Sequence, residues 1–374
     1  VERQDGERPL TIAHDNIRDV VYTEAGVTKR RLYHHQLLTL LEQDNAPAAE
    51  LAFHAEAAHL PQKSFDYAVM AGDASLAVHA FTDAIAFYEQ ALAVAERVQP
   101  TVEQQCHLCV HYGRSLELAG RYQDALNHYT EMNEAARKAD NKPLELATLA
   151  AQGTIYATAN DLSNFELGEQ VSLEALALAE SLGDEAAQAK IQWNLLNVYR
   201  MLGNNESALA AGEASLRLAE QNDLKEAMAY AANDLVYVYM ALGDNPRTLE
   251  LEQQATALWR ELGNRPMLTD SLINLSMTTA FIGGFADALT IAEEPLAISQ
   301  SLNNKWSQSY SLFPAVLVNR RYFDVATTLA LMNKGISLAE EAGFTGMQTI
   351  MGAHKAKLLT AVGALSQAKQ AAHQ

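Results

Sequence analysis

The stretch Asn197-Val-Tyr-Arg-Met-Leu-Gly203-Asn-Asn-Glu-Ser-Ala208-Leu decides how this chain folds, because it comes back. Forty residues on stands Val236-Tyr-Val-Tyr-Met-Ala-Leu-Gly243-Asp-Asn-Pro-Arg-Thr248-Leu, and forty further Met277-Thr-Thr-Ala-Phe-Ile-Gly283-Gly-Phe-Ala-Asp-Ala288-Leu. In each, a Gly is followed five residues later by Ala or Thr and then Leu. Gly ends a helix cheaply because the left-handed C′ conformation costs it almost nothing. The small residue then lets the next helix pack closely on its predecessor. Leu118-Ala-Gly120-Arg-Tyr-Gln-Asp-Ala125 fits the frame, as does Val78-His79-Ala-Phe-Thr-Asp-Ala84 with His in the Gly slot. Later copies read Asn319-Arg320-Arg-Tyr-Phe-Asp-Val325, with Arg320 in the slot, and Val362-Gly363-Ala-Leu-Ser-Gln-Ala368. A second punctuation falls midway at Ser181-Leu-Gly183, Glu261-Leu-Gly263, Ser301-Leu-Asn-Asn304 and Glu341-Ala-Gly343.

Each unit is therefore a helical hairpin with arms of roughly 15–18 residues, and one such hairpin cannot bury its apolar face alone. The expected fold is all-α: a right-handed superhelix, or α-solenoid, of stacked hairpins with a period of about 40 residues. About seven helix pairs are expected over residues 63–374, after an N-terminal helical segment at 1–62. The unit near 143–183 is irregular, since Asn160-Asp-Leu-Ser-Asn164 lengthens its turn. Composition agrees. Of 374 residues, 49% are hydrophobic and only nine are Pro, and no long alternation of β-branched residues argues for a sheet.

Charge excludes two classes of partner. Lys and Arg total 27 against 46 Asp and Glu, a net charge of -19. A duplex-binding surface or an anionic membrane needs clustered cations, so neither nucleic acid nor membrane is an expected partner. Lys29-Arg30-Arg31 reads as a solvated helix face. Two cysteines make no disulfide framework and suit a cytoplasmic location. The chain starts at Val1 without an initiator Met, which reads as a fragment of a longer protein rather than a processed chain.

These units resemble tetratricopeptide repeats of the longer-helix kind. With the turn Gly numbered 15 in each repeat, the family keeps a small residue at position 8 of helix A and at position 20 of helix B. Gly113, Ala125 and Tyr129 fill positions 8, 20 and 24 of one copy, and Gly72, Ala84 and Tyr88 those of another. Leu196 at position 8 of the Gly203 copy departs from the pattern, and Pro295 replaces an Ala of helix B in the Gly283 copy. The first part of the chain is similar to a more particular family segment. His14-Asp-Asn-Ile-Arg18-Asp-Val-Val-Tyr22, Lys29-Arg-Arg-Leu-Tyr-His34 and Ala48-Ala-Glu-Leu-Ala-Phe-His54, running into the first repeat, resemble the join between winged helix and repeat arm in bacterial signal-transduction ATPases. That resemblance implies a maltose-activator-like arm of a STAND-type transcriptional regulator, with an upstream ATPase module in the same chain. No Gly-x-x-x-x-Gly-Lys-Ser/Thr loop occurs here, so any ATPase activity would lie upstream.

Chemistry is sparse. Cys106-His107-Leu-Cys109-Val-His111 is the one metal-like run, but its donors point around the helix and Cys109 takes a core site. It reads as packing, with metal or redox use as the alternative. His34-His35 reads as a satisfied helix-surface pair, His54 and His59 do not share a face, and His14 reads as a packing or interdomain contact. No catalytic constellation, cofactor or metal is expected, and hence no enzyme.

The inner wall of the A helices is the functional candidate. The resemblance exposes positions 2, 5, 9, 12 and 13 there. These are Lys190, Trp193, Asn197, Arg200 and Met201 in one repeat and Tyr230, Asn233, Tyr237, Met240 and Ala241 in the next. The continuing wall, Ile273, Met277, Ala280, Phe281, Tyr310 and Leu317, is more apolar. Asn and Arg orient a ligand while Trp and Tyr bury it; the other reading is that Trp193 and Tyr237 only pack between repeats. Lys190 and Arg200 are expected to form a positive spot, and Asn197 and Asn233 to be surface residues whose loss costs no more than about 0.5 kcal/mol. The expected function is a non-enzymatic arm that binds a protein, peptide or small effector. The alternative is a stand-alone adaptor joining two proteins.

Overall fold

A computed structural model describes Val20 and residues 22–372. All regular structure among them is helical. The helices are α1 (Gly26–Gln43), α2 (Ala48–Ala57), α3 (Pro61–Ala77), α4 (Phe81–Val98), α5 (Val102–Leu118), α6 (Tyr122–Lys138) and α7 (Lys142–Ala157). They continue as α8 (Phe165–Leu182), α9 (Glu185–Met201), α10 (Asn205–Gln221), α11 (Lys225–Leu242), α12 (Asn245–Leu262) and α13 (Arg265–Phe281). The last are α14 (Phe285–Ser301), α15 (Lys305–Ser311), α16 (Phe313–Arg321), α17 (Val325–Glu341), α18 (Thr345–Ala361) and α19 (Leu365–Ala371). His14 lies outside the described residues. The chain forms two compact units that divide near the end of α7 and the turn after it, and within each the helices stack as hairpins.

Chain reversal follows a 20-residue clock. Left-handed residues fall at Gly183, Gly203, Asp223, Gly243, Gly263, Gly283, Asn303, Phe323, Gly343 and Gly363. The next residue is commonly an Asx N-cap. Asn164, Asp184, Asn204, Asp244, Asn264, Asn304 and Asp324 each accept a hydrogen bond from the backbone N–H three residues on. Each cap satisfies one of the orphan donors of a helix start, and the left-handed residue turns the chain to reach it. The expected slot at Arg320 is corrected here. Phe323 carries the left-handed conformation, with φ 57°, and Thr328 rather than Val325 takes the small-residue site, fully buried. The 40-residue glycine ladder runs from Gly283 to Phe323, and the Arg-Arg-Tyr triplet concealed it.

Packing across each hairpin is a trade of volume between positions 8 and 24. A Cβ on Gly72 or Gly113 would lie within 3 Å of the Tyr88 or Tyr129 ring, so a large aromatic on helix B needs a glycine on helix A. The departure at Leu196 has its compensation in Gly212 at position 24, whose missing side chain leaves room for Leu196 and Leu235. The pair summed, not either residue, is what the interior density constrains. Ala208 and Ala288 are fully buried at position 20. One A helix is split: Pro314 supplies no N–H to the ladder, and α15 and α16 meet at Leu312.

Two substitutions test this frame by chemical denaturation. Ala288→Leu overpacks its site and is expected to lower stability by roughly 1–3 kcal/mol. Phe323→Gly removes a bulky residue from the left-handed region and is expected to raise stability by about 0.5–1 kcal/mol, since its side chain is 78% exposed and little packing is lost.

Candidate functional site

The A helices α9, α11, α13 and α15 of the second unit share a continuous ladder of polar and aromatic side chains. Trp193 Nε1 donates to Asp234 Oδ2 at 2.6 Å, and Asn197 Nδ2 donates to the same oxygen at 3.1 Å. Arg200 donates to Asn197 Oδ1 at 3.0 Å and lies 5.0 Å from the centroid of the Tyr237 ring. Asn233 donates to Asp270 at 3.5 Å and accepts from Ser271 Oγ at 2.7 Å. Asn274 Nδ2 donates to the Tyr237 hydroxyl at 3.1 Å, and the Tyr310 hydroxyl donates to Asn274 Oδ1 at 2.9 Å. Lys190 Nζ sits 4.0 Å from the Trp193 centroid, and Tyr230 lies between Trp193 and Trp259, with ring centroids 5.3 and 4.9 Å away.

All seven residues expected on this wall are thus brought together: Lys190, Trp193, Asn197, Arg200, Tyr230, Asn233 and Tyr237. Their exposure is another matter. Trp193, Asn197 and Asn233 are buried, at 8%, 4% and 6%. They bond to neighbouring helices, so the surface character expected of the two Asn residues is corrected. Of the apolar continuation, Ile273 is fully buried in the core whereas Phe281 is 63% exposed. The expected positive spot is corrected as well, because Asp234 and Asp270 share the wall with Lys190 and Arg200. Burial and the neighbouring Asp234 push the Asp270 carboxyl up to about 6, with the Asn233 hydrogen bond opposing. Burial likewise raises the Tyr237 phenol. Arg200 Nε is buried and has no hydrogen-bond partner among the described residues.

Asp234 and Asn274 were missed because the family pattern directs attention elsewhere. Both stand at position 6, and so does Asn194, which is fully buried. A polar residue recurring every forty residues in an otherwise apolar helix was the available signal. Glu252 was missed too. It occupies position 24, is 2% exposed, and accepts one hydrogen bond, from Thr278 Oγ1 at 2.8 Å. Its second oxygen has no partner among the described residues, and burial pushes its carboxyl up to about 8, against the pull of Thr278.

In the first unit the thiols are free. Burial pushes Cys109 up to about 12, with Cys106 adding to the rise, and raises Cys106 as well, which keeps both protonated. The histidines of that run turn instead to Asp73 on α3. His34 is not a surface residue: it is 6% exposed and its Nδ1 lies 2.8 Å from His54 Nδ1. Burial lowers both imidazoles below the usual histidine range. His35 and His59 stay exposed.

No family model matches the chain, and no curated protein matches it. Solved structures do. The apo form of the quorum sensor NprR from B. thuringiensis has a TM-score of 0.64 at 13% identity, covering 96% of this chain and 97% of that one. A Rap protein complexed with competence and sporulation factor has a TM-score of 0.60 at 12% identity, covering 92% and 95%. A signal-transduction ATPase (STAND) protein with a tetratricopeptide repeat sensor, from Pyrococcus horikoshii, has a TM-score of 0.56 at 14% identity. That match covers 90% of this chain but 57% of the other. At these identities the likeness establishes a tetratricopeptide-like helical-repeat fold. Among the described residues no helix is long and apolar enough to cross a membrane.

Two measurements follow from the ladder and the buried acid. Asn197→Ala strips Asp234 and Arg200 of a shared partner and is expected to cost roughly 1–3 kcal/mol in denaturant unfolding. Glu252 keeps its proton when folded up to pH about 8, whereas an ordinary Glu loses it near 4.5. The folded state therefore binds more protons between these values, and the stability present below 4.5 declines as the pH rises through 8. Glu252→Gln is expected to flatten that decline. It should raise the melting temperature at pH 9 and leave it nearly unchanged at pH 4.5.

Proposed function

We propose that this chain is a non-enzymatic, ligand-sensing arm that binds a peptide or a protein segment along the A-helix wall of its second unit. One observation carries the reading: the polar and aromatic ladder runs unbroken across four successive A helices. Hydrogen-bonded Asn, Asp and Tyr side chains hold that wall in one arrangement, so a ligand meets groups already oriented. Lys190 and Arg200 lie on aromatic faces within it. Arg200 as a whole is half-buried, and its guanidinium offers a charge-assisted donor suited to a carboxylate. The solved neighbours support the reading by their own partners, since one Rap protein is complexed with competence and sporulation factor and another with the Phr* peptide.

The finer proposal is that the arm belongs to a cytoplasmic bacterial STAND-type regulator of transcription. It rests on the resemblance of the first ninety or so residues and is supported by the tetratricopeptide sensor of the STAND neighbour. Ligand binding would then shift contacts between arm and ATPase core, which requires unequal affinity for two states. Sequencing the gene upstream of Val1 tests this part: a P-loop and a winged helix are expected, and a stand-alone repeat protein would discard it.

Fluorescence anisotropy with a pool of labelled short peptides bearing free C-terminal carboxylates tests the binding reading. Arg200→Ala and Tyr230→Ala are expected to weaken the best binder about tenfold or more, the worth of one charge-assisted bond or buried aromatic contact. Affinity unchanged in both variants, with their folds intact by circular dichroism, would place the partner elsewhere.

A further inference from the structure

The face that α3 turns toward α5 is built differently from every other A-helix pair described above. Asp66 and Asp73 stand two turns apart on α3, and Glu103, His107 and His111 step by four along α5, so each set shares one helix face. His107 Nε2 lies 3.0 Å from both carboxylate oxygens of Asp73, and His111 Nδ1 lies 3.0 Å from Oδ1. The two imidazole rings are 3.8 Å apart between centroids and inclined by 36°. One donor atom from each of the three residues lies within 4.8 Å of the others. All three side chains are partly open, each 37% exposed. A cleft of about 420 Å³, lined by Asp66, Met70, Glu103 and His107 among others, opens beside them.

We propose that Asp73, His107 and His111 bind a divalent transition-metal ion of the zinc class, with the remaining coordination position open to the cleft. Two imidazoles and one carboxylate form a donor set that zinc accepts and that all-oxygen Ca²⁺ and Mg²⁺ sites do not use. Tetrahedral zinc with bonds of about 2.0–2.1 Å separates its donors by about 3.3 Å. The two 3.0 Å separations to Asp73 lie within a few tenths of an ångström of that, and all three donors lie within 4.8 Å of one another. The carboxylate is also held from behind, because the Tyr88 hydroxyl donates to Asp73 Oδ1 at 2.7 Å. Such an outer-shell bond orients a ligand for the metal. Tyr88 is itself fully buried against Gly72, so Asp73 sits on a rigid base. Asp66 and Glu103 at the cleft add negative charge that favours a cation.

A rival arrangement uses the same atoms: both imidazoles donate their N–H groups to Asp73 and no ion enters. The two are separated on the full-length chain after removal of metal with a chelator. Titration with zinc chloride by calorimetry is expected to show saturable binding of one ion per chain, with a rise in melting temperature because the ion joins α3 to α5. His111→Gln and Asp73→Asn are each expected to weaken binding at least about tenfold, and Tyr88→Phe to weaken it about tenfold through its outer-shell bond. Cys106→Ala with Cys109→Ala is expected to leave the zinc affinity unchanged. Cobalt(II) bound to the unmutated chain is expected to give a visible spectrum without thiolate charge transfer, a readout that depends on no variant folding. Absence of saturable binding in the unmutated chain overturns the site, as does binding that persists when both histidines are replaced. Loss of binding in the cysteine variant, or a thiolate band with cobalt, overturns it in favour of a different donor set.

Discussion

Everything in this chain depends on how it reverses direction. A left-handed residue, commonly followed by an Asx cap, recurs at 20-residue intervals through the second unit, and that spacing makes the unbroken helices α8 to α14 nearly the same length. Equal lengths put equivalent positions of successive A helices level with one another. The ladder from Trp193 to Tyr310 exists because of that alignment: its hydrogen bonds join residues 36–41 apart in sequence, close to one full repeat. Where a glycine is replaced, as at Phe323, the turn is kept and its backbone cost is tolerated. The surrounding hairpins over-determine the conformation.

The same alignment places polar groups where they must be satisfied in pairs. A buried amide or carboxylate without a partner is expensive, and along the wall Asn197, Asn233 and Asn274 are each answered from the next repeat. Glu252 shows the other outcome. It sits where a hairpin elsewhere carries Tyr88 or Tyr129, finds one hydroxyl, and stays protonated near neutrality. In the first unit the comparable tyrosines bond to acids of their own hairpin, Tyr88 to Asp73 and Tyr129 to Glu117. One fold thus hosts two electrostatic solutions: a crosswise ladder in the second unit, and in the first an acid anchored by tyrosine and answered by histidines. The proposed peptide wall and the proposed metal site both build on that difference.

Much of this was legible in the residues. The glycine period announced hairpins, whereas Gly72 with Tyr88 and Gly113 with Tyr129 were legible only as positions 8 and 24 of the repeat, and their volume trade emerged from the structure. The seven wall residues were found because the resemblance assigns positions 2, 5, 9 and 12 of the repeat to the inner wall. Asp234 and Asn274 were not, since their role exists only opposite a neighbour one repeat away. Nor did Leu196 make sense alone. It is intelligible only beside Gly212.

Local chemistry determined the helices, their ends and their pairing, because propensity, capping and small-residue packing act over distances shorter than a hairpin. Tertiary structure decided which polar side chains are buried, which carboxylates keep protons, and that His107 and His111 meet Asp73 instead of the cysteines beside them. Those outcomes depend on distances between residues more than thirty apart in the chain. Dielectric environment and donor convergence are properties of the packed neighbours, and a sequence names the neighbours only after the fold has chosen them.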